Sequence, residues 1–256
     1  MKDSDNMITI KSKREIDLMK EASLMVSKTH KYLKQFIKPG VTLKQLDAKA
    51  YKYIISLGGV PTCKGYEGYP ATLCTSVNDT VVHGIPNNYK LKNGDIITID
   101  MVIGYKGYQG DAAWSYAVGD ISDEKKYLLE HTCKALYEGV AMVRPGNRIG
   151  DISSAIEKYA KEHNLGIVRE LCGHGIGLDM HEDPDIPNFG LPNTGARLKE
   201  GMVICIEPML TYGKRYVYLK DDGWTVKTVD KSPSAHFEHT VLVTHDGFEI
   251  LTKRLD

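Results

Sequence analysis

Five side chains stand where a folded chain could gather them around a metal ion. Each of the four carboxylates ends an apolar, strand-like run or lies within one, and the histidine lies in the glycine-rich segment 173–177. A buried carboxylate without a partner is costly, so four together are expected to bind a cation. Carboxylate and imidazole groups are common ligands of divalent ions. The candidate ligands are Asp100, Asp111, His174, Glu207 and Glu238.

A hairpin argument places the first two acids together. If residues 105–106 form a two-residue loop between two glycines, Asp100 and Asp111 pair directly, with their Cβ atoms roughly 5 Å apart. Like charges at that spacing repel each other unless a proton or a cation lies between them. The alternative is two solvated acids on an edge strand, but the apolar run 96–99 favours a buried strand. The hairpin therefore predicts a metal site.

An internal repeat suggests how distant acids could meet. A stretch that ends at Asp100 matches one that ends at Glu207, and a His-Gly-Ile turn that begins at His83 recurs at His174. Each copy contains a helix, this turn and a strand that ends on an acid. Two related half-domains would bring the two acids to a shared cleft, with both histidines beside them.

The predicted elements are helix pairs followed by antiparallel strands, twice. Capping boxes at Ser12 and Thr42 begin two helices, a third begins at Ser122, and a fourth begins at about Asp151. This order predicts an α+β fold with helices on the outer face of a curved antiparallel sheet. The strand-like runs span 96–103, 107–118, 202–209, 214–219, 224–229, 237–244 and 248–252, with hairpin turns at the Asp-Gly steps 222–223 and 246–247.

Composition and charge exclude several classes of protein. The chain has 256 residues with Lys+Arg and Asp+Glu both at 33, so no overall field attracts nucleic acid or an anionic membrane. It lacks an apolar leader and any run long enough to span a bilayer. Its five cysteines include no closely spaced pair of the zinc-finger kind. We therefore expect a cytoplasmic protein with reduced thiols, no DNA partner and no membrane association.

Several motifs together resemble one enzyme family. They are Cys63-Lys64-Gly65-Tyr66-Glu67-Gly68-Tyr69-Pro70, Asn78 through His83-Gly84-Ile85-Pro86, Asp100, Asp111, Gly173-His174-Gly175-Ile176-Gly177 with His181-Glu182, Ile206-Glu207-Pro208 and Glu238-His239-Thr240. With them the chain resembles the methionine aminopeptidases of type I, in their bacterial-like form. The resemblance implies the pita-bread fold, whose two halves are related by a pseudo-twofold axis. It also implies a short extension at 1–7 and a single catalytic domain at 8–256, with halves of about 8–120 and 121–256.

The resemblance further implies a centre of two divalent metal ions. Asp100 and Asp111 would bind one ion, and Asp111 and Glu238 would bridge the pair. One nitrogen ligand among oxygens suits Mn²⁺, Fe²⁺ or Co²⁺, and Zn²⁺ is a further alternative. The second ion would be bound by Asp111, His174, Glu207 and Glu238. A monovalent cation is implied near Asn78, Thr80 and Ser234.

The implied activity is removal of the initiator methionine from nascent proteins whose second residue is small. A hydroxide activated by the two ions would attack the first carbonyl, with Glu207 as general base. His83 and His181 would contact the scissile amide, whereas His236 and His239 match no ligand position and are expected to have supporting roles. An apolar slot for the thioether side chain would be lined by Cys63, Tyr66, Tyr69, Cys74, Met180 and Trp224.

The implied partners are N-terminal methionyl peptides, bound by a monomer. The Lys-rich helix around residues 11–38 could make a transient ribosome contact, although the neutral overall charge favours a solvated helix face. Two alternatives remain open. A prolidase, aminopeptidase P or creatinase would share the fold but normally carries a further N-terminal domain. A non-catalytic binding protein would have lost ligands, whereas all five ligand positions are intact here.

Overall fold

Capped helix termini define the helical part of the chain. The computed structural model describes residues 8–255, and the predicted extension at 1–7 lies outside the described residues. Side-chain oxygens of Ser12, Thr42 and Ser122 accept hydrogen bonds from backbone N–H groups in the first turns, so these three predicted helix starts are confirmed. The α-helices of the described chain are α1 (Lys13–Lys34), α2 (Leu43–Ser56), α3 (Asp123–Ala141) and α4 (Ile149–Glu162).

The fourth helix begins two residues before the predicted start at Asp151. Its first residue is Ile149, and Asp151 lies in the first turn, where its Oδ2 accepts a hydrogen bond from the backbone N–H of Arg148 at 2.7 Å. The acid therefore acts at the third helical position rather than as the residue before the helix. None of the helices within residues 8–255 combines the length and the apolar character that crossing a bilayer requires.

The strands are short except for one long hairpin. They are β1 (Val60–Pro61), β2 (Cys74–Val77), β3 (Thr80–Val82), β4 (Ile96–Tyr105), β5 (Tyr108–Ala117), β6 (Gly166–Ile167), β7 (Gly173–Gly175), β8 (Glu182–Ile186), β9 (Val203–Ile206), β10 (Met209–Thr211), β11 (Val217–Leu219), β12 (Val226–Thr228), β13 (Ser234–His236), β14 (His239–Val243) and β15 (Phe248–Ile250). All pairs in the described sheets are antiparallel, and the strand orders are β1-β4-β2 with β5 beside β4, β13-β10-β6, β11-β12-β3 and β15-β14-β9-β7-β8.

Two predicted turns are confirmed, and one predicted strand divides. The Asp-Gly steps at 222–223 and 246–247 lie in the β11–β12 and β14–β15 hairpins. The predicted strand 202–209 instead forms β9 and β10, separated by Glu207 and Pro208. Proline has no N–H group to donate to a neighbouring strand, so the ladder stops there.

The predicted register of the β4–β5 hairpin is wrong by two residues. Tyr105 pairs with Tyr108, and the loop is formed by Lys106 and Gly107, which adopt φ values of 49° and 90°. Such a tight turn requires positive φ at both central residues, and lysine adopts it here. Asp100 therefore pairs with Ala113 and Asp111 with Val102. Because side chains alternate with a period of two, the two acids still lie on one face, as diagonal neighbours.

Two helix layers cover the outer faces of the strands. Residues such as Ile97 and Ile99 of β4 are fully buried in one apolar cluster with α1 and α2. A second cluster joins α3 and α4 to β9 and β14. The two helices approach each other closely at Gly139 of α3, where a Cβ would lie 2.8 Å from Ile156 of α4. Asp100 and Val102 alternate with the apolar residues of β4 and point to the other side. That inner side holds the candidate site.

Candidate active site

The five predicted ligands line one cavity of about 250 Å³. Asp100 and Asp111 reach it from the β4–β5 hairpin. Glu207 reaches it from the segment between β9 and β10, and Glu238 from the segment between β13 and β14. The structure thus brings together residues that are more than a hundred positions apart in the chain.

Two glycines place His174 at the centre of β7. A Cβ at Gly173 would lie 2.2 Å from the carbonyl oxygen of Cys205, and one at Gly175 would lie 2.2 Å from that of Asp183. Any side chain at these positions would therefore push β7 away from its neighbours. The close approach fixes the imidazole, with its Nε2 3.6 Å from Glu207 Oε1 and 3.9 Å from Asp111 Oδ2.

The donor atoms fit a divalent cation. Ligand atoms of Asp111, His174 and Glu238 lie within 4.8 Å of one another. Asp111 Oδ1 and Glu238 Oε1 are buried and have no hydrogen-bond partner within residues 8–255. Buried oxygens of this kind are rare unless they have a role that requires them, such as binding an ion. A mixture of carboxylate oxygens and one imidazole nitrogen matches Mn²⁺, Fe²⁺ or Co²⁺.

The raised pKa values of the carboxyl groups at the site also favour a bound cation. Burial, and then the charges of Glu238 and Asp100, raise the pKa of Asp111 well above its usual value. Burial and the neighbouring acids likewise raise the pKa values of Glu207 and Glu238. No lysine or arginine is among the described residues that line the cavity. Burial lowers the pKa of His174 to about 4, so its imidazole is neutral at pH 7 and has a nitrogen lone pair that can bind a metal ion.

The two histidines expected to contact substrate lie at the same cavity. Tyr66 Oη lies 2.9 Å from His181 Nδ1, and the His181 ring meets that of His174 edge-on with centroids 4.4 Å apart. His83 adopts a positive φ of 56°, and a Cβ on the following Gly84 would lie only 2.2 Å from a backbone oxygen. The turn is therefore held tightly, and it presents His83 to the cavity.

His236 contacts a predicted ligand directly, which the sequence did not specify. Its Nε2 lies 3.3 Å from Glu207 Oε2, and its side chain is only 2 % exposed. His236 lies two residues before Glu238, so strand alternation could have indicated that both point inward. The distance to Glu207 depends on how β13 packs beside β10, and that packing leaves no local signal.

The predicted apolar slot forms the other wall of the cavity. The Tyr69 and Trp224 rings pack edge-on with centroids 5.1 Å apart, and the Tyr69 hydroxyl lies 3.0 Å from the carbonyl oxygen of Leu73 and 3.1 Å from that of Gly84. Val102 and Glu67 also line this wall, and neither was predicted. The residues brought together as predicted are Cys63, Tyr66, Tyr69, Cys74, Met180 and Trp224.

The residues expected near a monovalent cation are neighbours. The carbonyl oxygen of Asn78 accepts a hydrogen bond from the Ser234 N–H at 2.8 Å, and Thr80 begins β3 two residues after Asn78. The Asn78 side chain is committed to Asp95 and Lys125. A cation here would have to use main-chain carbonyl oxygens, and this site stays a prediction.

Comparisons with known proteins agree with this geometry. The model of metallopeptidase family M24 matches residues 17–245. Methionine aminopeptidase 1 of Bacillus subtilis is 50 % identical over 247 residues, which cover 96 % of this chain and 100 % of that protein. The crystal structure of the Rickettsia prowazekii methionine aminopeptidase superposes with a TM-score of 0.95 at 43 % identity, covering 96 % of this chain and 100 % of that one.

A more distant structure shares the fold alone. Prolidase from Pyrococcus furiosus superposes with a TM-score of 0.76 at 24 % identity, covering 99 % of this chain and 67 % of that one. The family model, the identity over nearly the full length and the superposition all lead to one assignment. The chain belongs to metallopeptidase family M24 and, within it, to the methionine aminopeptidases with the pita-bread fold.

Proposed function

We propose that this enzyme removes the initiator methionine from nascent proteins whose second residue is small. The observation that carries the proposal is the cavity that combines the five candidate ligands with an apolar wall containing Cys63, Cys74 and Met180. Relatives that are 44–50 % identical over nearly their whole length are named methionine aminopeptidases. The acids supply a metal centre, and the apolar wall supplies a slot for an unbranched thioether side chain.

The ligands would hold two divalent ions. Asp100 and Asp111 would bind one ion, while Asp111, His174, Glu207 and Glu238 would bind the other. Both Asp111 and Glu238 have a buried oxygen without a hydrogen-bond partner in the described chain, which suits a bridging role. When bound, the ions supply Lewis acidity and lower the pKa of water, which provides a nucleophile at neutral pH. Mn²⁺, Fe²⁺ or Co²⁺ is proposed, with Zn²⁺ as the alternative, and a monovalent cation near Asn78, Thr80 and Ser234.

Glu207 is the proposed proton acceptor. Its side chain is 12 % exposed at the cavity, so it can meet both a water molecule and the substrate. Its Oε2 lies 3.3 Å from His236 Nε2, and its Oε1 lies 3.6 Å from His174 Nε2. Both carboxylate oxygens therefore lie beside imidazole nitrogens, close to where general base catalysis would need a proton acceptor.

His181 and His83 are proposed to contact the scissile amide. When the Tyr66 hydroxyl donates to His181 Nδ1, the hydrogen of that imidazole is on Nε2, which can then donate to the substrate carbonyl oxygen. Burial lowers the pKa of His83 to about 4, so it too is neutral at pH 7 and can donate one hydrogen bond while accepting another. Together they would orient the amide between the acids and the apolar wall.

The remaining predictions are carried forward as part of the proposal. Residues 8–256 would form one catalytic domain, with halves of about 8–120 and 121–256, after a short extension at 1–7. The enzyme would act as a cytoplasmic monomer on N-terminal methionyl peptides. A transient ribosome contact through the lysine-rich α1 would be visible as cosedimentation with ribosomes at low salt, and its absence there would remove that element.

The test is peptide cleavage by chelator-stripped protein before and after addition of Mn²⁺. We expect metal-dependent release of methionine from Met-Ala-Ser, and much slower release of leucine from Leu-Ala-Ser or of methionine from Met-Lys-Ser. An Ala-Pro dipeptide tests the prolidase alternative. Cleavage of Ala-Pro alone would replace the proposed activity by that of a prolidase. No cleavage of any peptide with Mn²⁺, Fe²⁺ or Co²⁺ would favour the non-catalytic alternative.

A further inference from the structure

A thiol lies inside the cluster of metal ligands. Cys205 Sγ lies within 4.8 Å of ligand atoms of Asp111, His174 and Glu238, and Cys205 is fully buried. The proposed two-ion centre assigns no role to this sulfur. A thiol at this distance from three potential ligands brings a soft donor into a site otherwise made of oxygen and nitrogen.

The strand geometry explains why the sulfur faces the ligands. Cys205 lies two residues before Glu207, so the alternation of β9 directs both side chains to the same face. Thr240 of β14 pairs with Cys205 on one side, and β7 lies close on the other side, where Gly173 has no Cβ to separate the strands. This pairing on both sides fixes the face of β9 on which the thiol lies.

The hydrogen bonds around Cys205 leave its sulfur free to bind a metal ion through a lone pair. Thr240 Oγ1 lies 3.7 Å from Cys205 Sγ, but its hydroxyl proton is donated to the Asp111 carbonyl oxygen at 2.7 Å. The same Oγ1 accepts from the Asp111 N–H at 3.1 Å. Thr240 therefore has no proton to donate to the thiol. Asp111 Oδ1 and Glu238 Oε1, which have no hydrogen-bond partner within the described residues, are further atoms that could bind an ion there.

We infer that Cys205 is a sulfur ligand for a soft or borderline divalent ion such as Cd²⁺ or Zn²⁺. The ion would be held by one sulfur, one nitrogen and two carboxylates, from Cys205, His174, Asp111 and Glu238. This is a four-ligand set of the kind that Zn²⁺ adopts in tetrahedral sites. On binding, the S–H bond breaks, an S–metal bond forms and the proton leaves to solvent, with no change in oxidation state.

This site uses ligands that the proposed two-ion centre also needs. It rests on the metal centre of the proposed function, and its occupation by a single soft ion would exclude the Mn²⁺ pair. The oxygen-rich set favours hard ions, whereas the thiolate favours Cd²⁺ and Zn²⁺. The metal preference of this chain is therefore expected to be softer than that of the same site with a hydroxyl in place of the thiol.

The test is titration of chelator-stripped full-length protein with Cd²⁺, followed by ultraviolet absorption. We expect a thiolate-to-cadmium charge-transfer band that saturates at one ion per chain. Cys205→Ser is expected to lose the band and to bind Cd²⁺ at least about tenfold more weakly, while Mn²⁺ binding changes much less. Cys63→Ser, which removes a thiol that lines the cavity of the candidate ligands, is expected to keep the band.

Several results would overturn the inference. The first is wild-type protein that binds one Cd²⁺ without showing the charge-transfer band; this result does not depend on whether the Cys205→Ser variant folds. A band that is lost in Cys63→Ser and kept in Cys205→Ser would also overturn the inference. The two proposals remain separable, because Mn²⁺-dependent peptide cleavage without the cadmium band refutes only this inference. A cadmium band in a protein with no metal-dependent cleavage refutes only the proposed function.

Discussion

Replacing Asp111 by Asn is expected to stabilise the metal-free protein and to reduce strongly its stabilisation by divalent ions. Asp111 is buried, and its pKa is raised by burial and by the charges of Glu238 and Asp100. Its Oδ1 has no hydrogen-bond partner in the part of the chain that the structure describes. In the absence of metal, the carboxylate therefore opposes folding. The amide of Asn has nearly the same shape and no charge.

The size of the effect can be worked from the geometry. Ligand oxygens of Asp111 and Glu238 lie within 4.8 Å of each other. Two unit charges at that separation repel by about 3 kcal/mol at an effective dielectric constant of about 20. Protonation of the cluster already relieves part of this repulsion, so we expect a gain of about 1–3 kcal/mol in the free energy of unfolding at pH 7. That gain corresponds to a rise of roughly 3–10 °C in Tm.

The dependence on pH follows from the raised pKa values. A carboxyl group whose pKa is raised by folding binds more protons in the folded state, so the contribution of Asp111 to the stability of the metal-free protein rises as the pH falls. Asp111→Asn lacks that contribution. The difference in Tm between the variant and the wild type should therefore shrink from pH 7 towards pH 5.

The assay is thermal unfolding of chelator-stripped protein with and without Mn²⁺, with Asp95→Asn as the matched control. Asp95 is also buried, but its oxygens accept hydrogen bonds from the Asn78 amide, the Tyr89 hydroxyl and the Lys92 N–H. The same substitution there should lower the Tm. Wild-type protein should gain about 2.7 kcal/mol at a Mn²⁺ concentration one hundred times its Kd, and Asp111→Asn should gain much less.

Two results would refute this reasoning. The first is a metal-free Asp111→Asn protein that loses as much stability as Asp95→Asn, since that would mean the carboxylate is well solvated or paired. The second is an unchanged Mn²⁺-induced shift in Tm, since that would mean the ion binds without Asp111. Peptide cleavage at the wild-type rate by metal-loaded Asp111→Asn would exclude the proposed two-ion arrangement.

Three further predictions concern other parts of the molecule. Tyr66→Phe removes the hydroxyl that lies 2.9 Å from His181 Nδ1, and kcat/KM for methionyl peptides should fall about 2- to 10-fold. An unchanged pH profile and kcat/KM would remove the orienting role. Met180→Phe fills part of the apolar slot and should raise KM for methionyl peptides more than it lowers kcat; equal effects on both would contradict the assignment. Burial lowers the pKa of His30 to about 3, so between about pH 7.5 and 5.5 only the unfolded chain takes up a proton at this residue. The free energy of unfolding should therefore fall by about 1.4 kcal/mol over that range because of His30. Urea unfolding of His30→Gln should show a correspondingly shallower loss of stability, and an identical slope would contradict the linkage.

Local signals in the sequence were sufficient for the helices and for the types of residue at the site, whereas the short strands β1–β3, β6–β8 and β13 lie outside every predicted strand-like run. Capping side chains at Ser12 and Thr42 act within a few residues, so they specify helix starts without reference to the rest of the fold. Alternation in β4 likewise predicts that Asp100 points away from the apolar face. The register of the hairpin was harder, because it depends on which two residues take positive φ. The sequence offers both Tyr105-Lys106 and Lys106-Gly107.

Contacts between strands that are distant in the chain could not be predicted in the same way. Strand alternation indicates that Cys205 faces the same side as Glu207, but its distance from His174 is set by the pairing of β7 with β9. The contact of His236 with Glu207 is of the same kind, because it depends on packing around the end of β10. Patterns with a period of two specify a face, whereas only the assembled sheets specify a distance.

The glycines of β7 are a local feature of the sequence that affects a distance between strands remote in the chain. Gly173 and Gly175 allow β7 to approach its neighbours so closely that a Cβ at either position would lie 2.2 Å from a backbone oxygen. That approach places His174 among the acids and also brings Cys205 into the same cluster. The position of His174 among the candidate ligands thus depends on two residues that have no side chain to bind anything. A change in metal preference therefore needs no new ligand strand, since the side chain at position 205 already faces the centre and its chemistry decides whether a soft donor is present.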